Sequence, residues 1–149
     1  MSSWESVADY KPETGNDFGI IKAQGLECTV QYARIETYKG QKPELQGVQF
    51  FKYELSITGG SDAYLGRKLW GSFNLEKEAH LKKVKNLFFV ALGVDLKSQE
   101  DLEANLEKFV GNTYIVQAWG WKPENADEAI QQHTIKKVKP VEFDDKPSF

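Results

Sequence analysis

Val48-Gln49-Phe50-Phe51-Lys52-Tyr53-Glu54-Leu55-Ser56-Ile57, a turn at Thr58-Gly59-Gly60-Ser61-Asp62, and then Gly66-Arg67-Lys68-Leu69-Trp70-Gly71-Ser72-Phe73-Asn74-Leu75: the reading of the fold turns on these residues. In the first run Phe51, Tyr53, Leu55 and Ile57 share one face and Phe50, Lys52, Glu54 and Ser56 the other, which is the period of two of a half-buried strand. In the last run Leu69, Gly71, Phe73 and Leu75 alternate with Lys68, Trp70, Ser72 and Asn74. Two such runs across a Gly-Gly turn read as neighbouring strands, the apolar set of each facing the core.

Upstream, Leu26-Glu27-Cys28-Thr29-Val30-Gln31-Tyr32 also alternates, and Ile35 then falls out of phase with Tyr32. This first strand therefore ends near Arg34 or carries a bulge there. Tyr38-Lys39-Gly40-Gln41-Lys42-Pro43 has the chemistry of a longer connection. Residues 1–25 hold no sustained period and read as an extended lead-in, with a short edge strand at Gly19 to Ala23. Downstream the period becomes helical. Leu81, Val84, Phe88 and Leu92 recur three and four apart, Lys82, Lys83, Lys85 and Asn86 cover the flank, and Gly93 stops the helix. A second helix starts at the cap Ser98, with Asp101 three residues on and a Leu102, Leu106, Phe109 stripe, and gives way at Gly111. Thr113 to Trp121 is a fourth strand, Lys122 to Gln132 a polar loop or short helical turn, and Thr134 to Phe143 a last strand.

Three strands, a helical insert and two strands make a mainly β chain with its helices between strands 3 and 4. That is the order of an OB-fold, a five-stranded Greek-key barrel. An α+β sandwich with both helices on one sheet face gives the same string, and the barrel is the preferred reading of the two. The domain is expected over 26–141, between the lead-in and an acidic tail at 142–149.

The 149 residues carry a formal charge of −3, which argues against a polyanion partner until it is divided along the chain. Residues 1–18 hold Glu5, Asp9, Glu13 and Asp17 against Lys11, and residues 142–149 hold Glu142, Asp144 and Asp145 against Lys146. The remaining 19–141 has 17 basic and 15 acidic residues, with 11 against 7 in 19–85. Positive charge thus concentrates in the sheet-forming part. The single Cys28 excludes a disulfide framework and a multi-cysteine zinc site, and its place on the inward phase makes it a core residue. No apolar run reaches the roughly 20 residues of a membrane span, and Ser2, Ser3 and Glu5 are not a secretory start. A cytoplasmic protein is expected. His80 and His133 lack ligand-spaced partners, and no phosphate loop, dinucleotide fingerprint or nucleophile elbow is present, so neither enzyme, metal nor cofactor is expected.

What remains is a set of aromatic and basic residues recurring on one strand phase. Single-stranded nucleic acid needs cations along its backbone and exposed rings on which bases stack, at about 1–3 kcal/mol per base. Phe50 and Lys52 share the outer face of the second strand. Lys68 shares that of the third with Trp70, and Arg67 stands just before it. Trp119 and Trp121 share one face of the fourth strand; Arg34, Lys39 and Lys42 belong to the first strand and its loop, and Lys136, Lys137 and Lys139 to the last. Each has a plainer reading: tryptophans pack in cores, and strand lysines guard edges. Their recurrence on one phase favours single-stranded DNA as partner, with a protein-interaction module as the alternative and a carbohydrate site third. An open barrel leaves edge strands, so a homodimer is a further expectation.

Phe51 to Ile57 and Gly66-Arg67-Lys68-Leu69-Trp70 to Leu75, followed by a helix and Ala91-Leu92-Gly93-Val94, resemble the core of a phage-encoded family found near replication and recombination genes. The likeness covers about residues 26–118. It implies an OB-fold single-stranded DNA-binding protein acting in a bacterial host cell. The C-terminus, Glu142-Phe143-Asp144-Asp145-Lys146-Pro147-Ser148-Phe149, is similar to the acidic tip of bacterial single-stranded DNA-binding proteins, although Lys146 interrupts the acidic run and Ser148 separates Pro147 from Phe149. This likeness implies that Asp144, Asp145 and Phe149 contact replication or recombination proteins. Such a tip also competes with DNA for basic groups, so removal of 142–149 is expected to tighten DNA binding.

Overall fold

The computed structural model describes residues 19–124 and 127–139. Seven main elements follow in order: β1 (Ala23–Thr37), β2 (Gln49–Gly59), β3 (Lys68–Asn74), α1 (Glu78–Leu92), α2 (Gln99–Phe109), β4 (Thr113–Trp121) and β5 (Ile130–Val138). They make one antiparallel sheet, ordered β3-β2-β1-β4-β5, with both helices inserted between β3 and β4. The acidic tail, with Asp144, Asp145 and Phe149, lies outside the described residues, as do residues 1–18 of the lead-in.

β1 organises the sheet. It pairs with β4 along Ala23–Thr29 and with β2 along Glu27–Thr37. A register shift between Val30 and Tyr32 leaves Gln31 as an extra residue. That is the expected bulge, three residues before Arg34, and it reverses the phase of everything after it. Leu26, Cys28 and Val30 are buried before it; Ala33 and Ile35 pack on the core after it, while Tyr32, Arg34 and Glu36 turn outward. Burial drives the Cys28 thiol up to about 12, so it stays a protonated core residue.

Three expectations shift. The Gly19–Ala23 edge strand is absent: the ladder begins at Ala23, and Ile21 just ahead of it is buried, its backbone N–H donating to Gln131 Oε1 at 2.7 Å. β5 runs from Ile130 to Val138, four residues earlier than expected, because Gln131 and Gln132 enter the ladder opposite Gly120 and Trp119. Asn74, placed on the outer phase, is buried at the end of β3, where its Oδ1 accepts from Glu76 N at 2.8 Å and shapes the turn into α1.

The core lies between the inner sheet face and the two helices. Phe51, Tyr53, Leu55 and Ile57 of β2 are all buried, as expected from their alternation, and face Phe88 of α1 and Phe109 of α2. Ring centroids lie 5.5 Å apart for Phe51–Phe88, 5.1 Å for Phe88–Phe109 and 5.6 Å for Phe109–Tyr114. Burying each of these rings contributes roughly 1.5–3 kcal/mol. Gly71 stands opposite Tyr53, and a Cβ there would overlap the Tyr53 ring, so only glycine lets β3 close over this cluster. Helix ends follow the sequence signals. Gly93 adopts a left-handed φ of 70° and donates to Phe89 O, while Ser98 Oγ accepts from Asp101 N at 3.2 Å as Asp101 Oδ2 accepts from Lys97 N.

The edge strands, β3 and β5, both line one cleft. α1 touches both edges. From β2, the Tyr53 hydroxyl spans to His133 Nε2 on β5 at 2.7 Å. No helix of the described residues is long and apolar enough to cross a membrane.

Candidate functional site

The outer surface of β1–β2–β3 is set by pairing register. Reading across the three strands, the outward rungs are Tyr32–Glu54–Trp70, then Arg34–Lys52–Ser72, with Glu36–Phe50 beyond and Ser56–Lys68 before. Aromatic rings and cations therefore alternate on one surface, as the strand phases predict. Trp70 is 61 % exposed, which settles its two readings in favour of the surface. Phe50 is half-buried, 6.2 Å from the Tyr38 ring, at the edge of a hollow of about 450 Å³ that Lys39, Lys52 and Ser72 also line.

Two carboxylates thread this surface. Glu54 Oε2 pairs with Lys68 Nζ at 3.0 Å, and its Oε1 accepts from the Trp70 indole N–H at 3.0 Å. The Lys68 hydrogen bond, helped by Trp70, holds the Glu54 carboxyl below the usual carboxylate range. Glu36 takes Arg34 on one oxygen and Lys52, at 3.3 Å, on the other. Partial burial pushes its carboxyl up, but the hydrogen bonds from Lys52 and Arg34 outweigh that and lower it. Arg34 also lies over the Tyr32 ring, 4.4 Å from its centroid. Exposed pairs of this kind contribute about 0–1 kcal/mol to stability, so their cations are cheaply released to a phosphate. Glu54→Gln frees Lys68 and keeps an acceptor for the indole. We expect this variant to bind single-stranded oligonucleotides several-fold more tightly at fixed low salt, read by Trp fluorescence titration; unchanged or weaker binding would count against the surface.

The outer surface of β4–β5 carries Trp119 and Trp121. Trp121 is 55 % and Trp119 38 % exposed, and they pair with Ile130 and Gln132 of β5. Trp119 and Trp70 line one cleft of about 550 Å³ between the two sheet edges, so the rings of distant strands meet at one opening. Its floor is the Tyr53–His133 pair. Burial lowers His133 to about 4 and raises the Tyr53 hydroxyl, so both stay uncharged. His80 Nδ1 accepts from Asn74 N at 2.8 Å and ties α1 to the end of β3, with its pKa lowered by burial and by Lys77 and Lys83.

Not every expected residue joins this surface. Arg67 shares the inward phase of Leu69; its guanidinium donates to Gly19 O at 2.8 Å and lies 5.8 Å from the Tyr64 ring, which makes it a tie to the chain ahead of β1. Lys42 is exposed in the β1–β2 loop, its N–H donating to the Tyr38 hydroxyl at 3.1 Å. Lys137 stands opposite Ile115, Lys136 falls at the β5 register shift, and Lys139 pairs with Glu27 at 2.9 Å. This trio sits at the end of the β4–β5 ladder away from Trp119 and Trp121. Sequence alone does not mark Glu36 and Glu54 as partners, although both share the phase of the cations, nor His133, whose partner Tyr53 is 80 residues away.

Among the described residues no group of three or more His, Cys, Asp or Glu is placed to hold a metal ion. Compared with protein-family models, curated proteins and solved structures, the chain matches none.

Proposed function

We propose that the chain binds single-stranded DNA without catalysis and with little sequence preference, on an OB-fold. The observation that carries this reading is the β1–β2–β3 outer surface, where exposed Trp70 and half-buried Phe50 alternate with Arg34, Lys52 and Lys68. Oligonucleotide-binding barrels of this class use the face of their second and third strands and the adjoining loops. The strand order β3-β2-β1-β4-β5, the helices after β3 and the cleft that β3 and β5 both line support that class over a sandwich with both helices on one sheet face. A role in phage replication or recombination within a bacterial cell rests on the resemblance of the Phe51–Ile57 and Gly66–Leu75 blocks. Contact with replication or recombination proteins rests on the likeness of the C-terminal tip.

Titration of the intrinsic Trp fluorescence with oligo-dT and with a duplex of equal length tests the reading. Quenching by the single strand, at an affinity well above that for the duplex, is the expected result; equal affinity or no binding at low salt would overturn it. One observation favours a second reading, a protein-contact module. Phe89, Val90 and Val138 are exposed around a hollow of about 760 Å³ at the opposite end of α1 from its N-terminus. A Phe89→Glu change that lowers the oligomeric state of a chain with no DNA affinity would support it.

A further inference from the structure

The cleft between β3 and β5 differs from the open surface beside it. Glu36 and Glu54 neutralise cations on the β1–β2–β3 surface, whereas no carboxylate lines the cleft among the described residues. Lys82 and Lys85 of α1 pair with Glu78 and Asp95; Lys83, at the rim of the cleft, has no carboxylate partner among the described residues. The walls offer two indoles, Trp70 and Trp119, and amide groups on Asn86 and Gln132. Backbone groups add to these. Leu75 N donates to Gln49 O of β2 and Arg67 O accepts from Ile57 N, whereas the N–H of Asn74 points away from β2 and is taken by His80. By that alternation the N–H groups of Trp70 and Ser72 face the cleft.

An unpaired edge also suits an added peptide strand, but two features disfavour one here. Asn74 N is already taken by His80, and α1 lines the cleft with Lys83, Asn86, Leu87 and Val90, so a peptide could not run its length. A flat group entering from the open side meets no such obstacle.

Resting on the proposed function, we infer that this cleft is a base-binding subsite. One unstacked base of the bound strand enters between Trp70 and Trp119. Asn86, Gln132 and the Ser72 backbone meet its polar edge, and Lys83 takes the neighbouring phosphate. A paired base cannot enter, which gives single-strand selectivity a structural cause.

The test uses the full chain and oligo-dT carrying one 5-iododeoxyuridine. Photocrosslinking is mapped by mass spectrometry, with salt titrations of Lys83→Gln, Trp119→Leu and Phe50→Leu alongside. A crosslink on Trp119 is expected. Trp119→Leu should lose about tenfold in affinity, and Lys83→Gln should make the slope of log affinity against log salt shallower by about 0.7. Wild-type binding with crosslinks confined to Phe50 and Trp70, and unchanged affinity in both cleft variants, would overturn the subsite and leave DNA binding standing. No wild-type binding at low salt would overturn both.

Discussion

Acidification from about pH 7 to about pH 4 is expected to remove roughly 2–3 kcal/mol of folding stability through His133 alone. Its imidazole, ordinarily near 6.5, is pushed down to about 4 by burial between β5 and the Tyr53 ring. The folded state therefore binds fewer protons than the unfolded state between those two values. Stability is full above 6.5, declines as pH falls through the window, and the loss is complete below about 4. Partial exposure of the ring to the cleft trims the full difference. His80 adds to the loss with the same sign, because protonating Nδ1 breaks the hydrogen bond from Asn74 N. Carboxylates titrate at the acid end too, so the informative quantity is the difference between wild type and His133→Gln, in urea melts at several pH values. The variant should be less stable at neutral pH and lose less on acidification. Parallel pH profiles would show that His133 is not held neutral as described.

Trp70→Ala is expected to weaken binding to oligo-dT by roughly ten- to a hundredfold, the range of one or two lost stacking contacts. The indole is 61 % exposed and its one hydrogen bond goes to Glu54, so the fold should survive the change with its melting temperature nearly unmoved. Nearly all of the effect should fall on binding. A Trp70→Phe variant should recover most of the affinity, since it restores a ring without the indole N–H. Wild-type affinity in Trp70→Ala would remove the principal stacking residue from the account. A lowered melting temperature would recast Trp70 as a packing residue.

Local periodicity carried much of this structure. The alternation of Phe51, Tyr53, Leu55 and Ile57 gave the core face of β2, Ser98 and Gly93 gave helix boundaries, and Thr113 to Trp121 is β4 to the residue. The phase shared by Phe50, Lys52, Lys68 and Trp70 was legible because the strands pair in a regular register there. Where the ladder breaks, phase misleads. The extra residue at Gln31 and the shift beside Lys136 separate positions that sequence spacing would put together, and β5 starts four residues early because polar glutamines sit in its half-exposed ladder. Arg67 shows a different failure: proximity to Lys68 in sequence suggested a shared role, yet alternation sends the two to opposite faces. The cleft itself could not be read from the chain. It is made by two edge strands, the face of α1 from His80 to Val90 and a Tyr53–His133 bond that joins residues 80 positions apart.

The most direct test of the central claim is the salt dependence of oligo-dT affinity. Arg34, Lys39, Lys52 and Lys68 engaging about four phosphates give a slope of log affinity on log salt near −3, or a loss of about 50-fold between 50 and 200 mM salt. A slope of that size, made shallower by about 0.7 in Lys52→Gln, is the predicted result. A slope near zero, or one that Lys52→Gln and Lys68→Gln leave unchanged, would contradict binding on this surface.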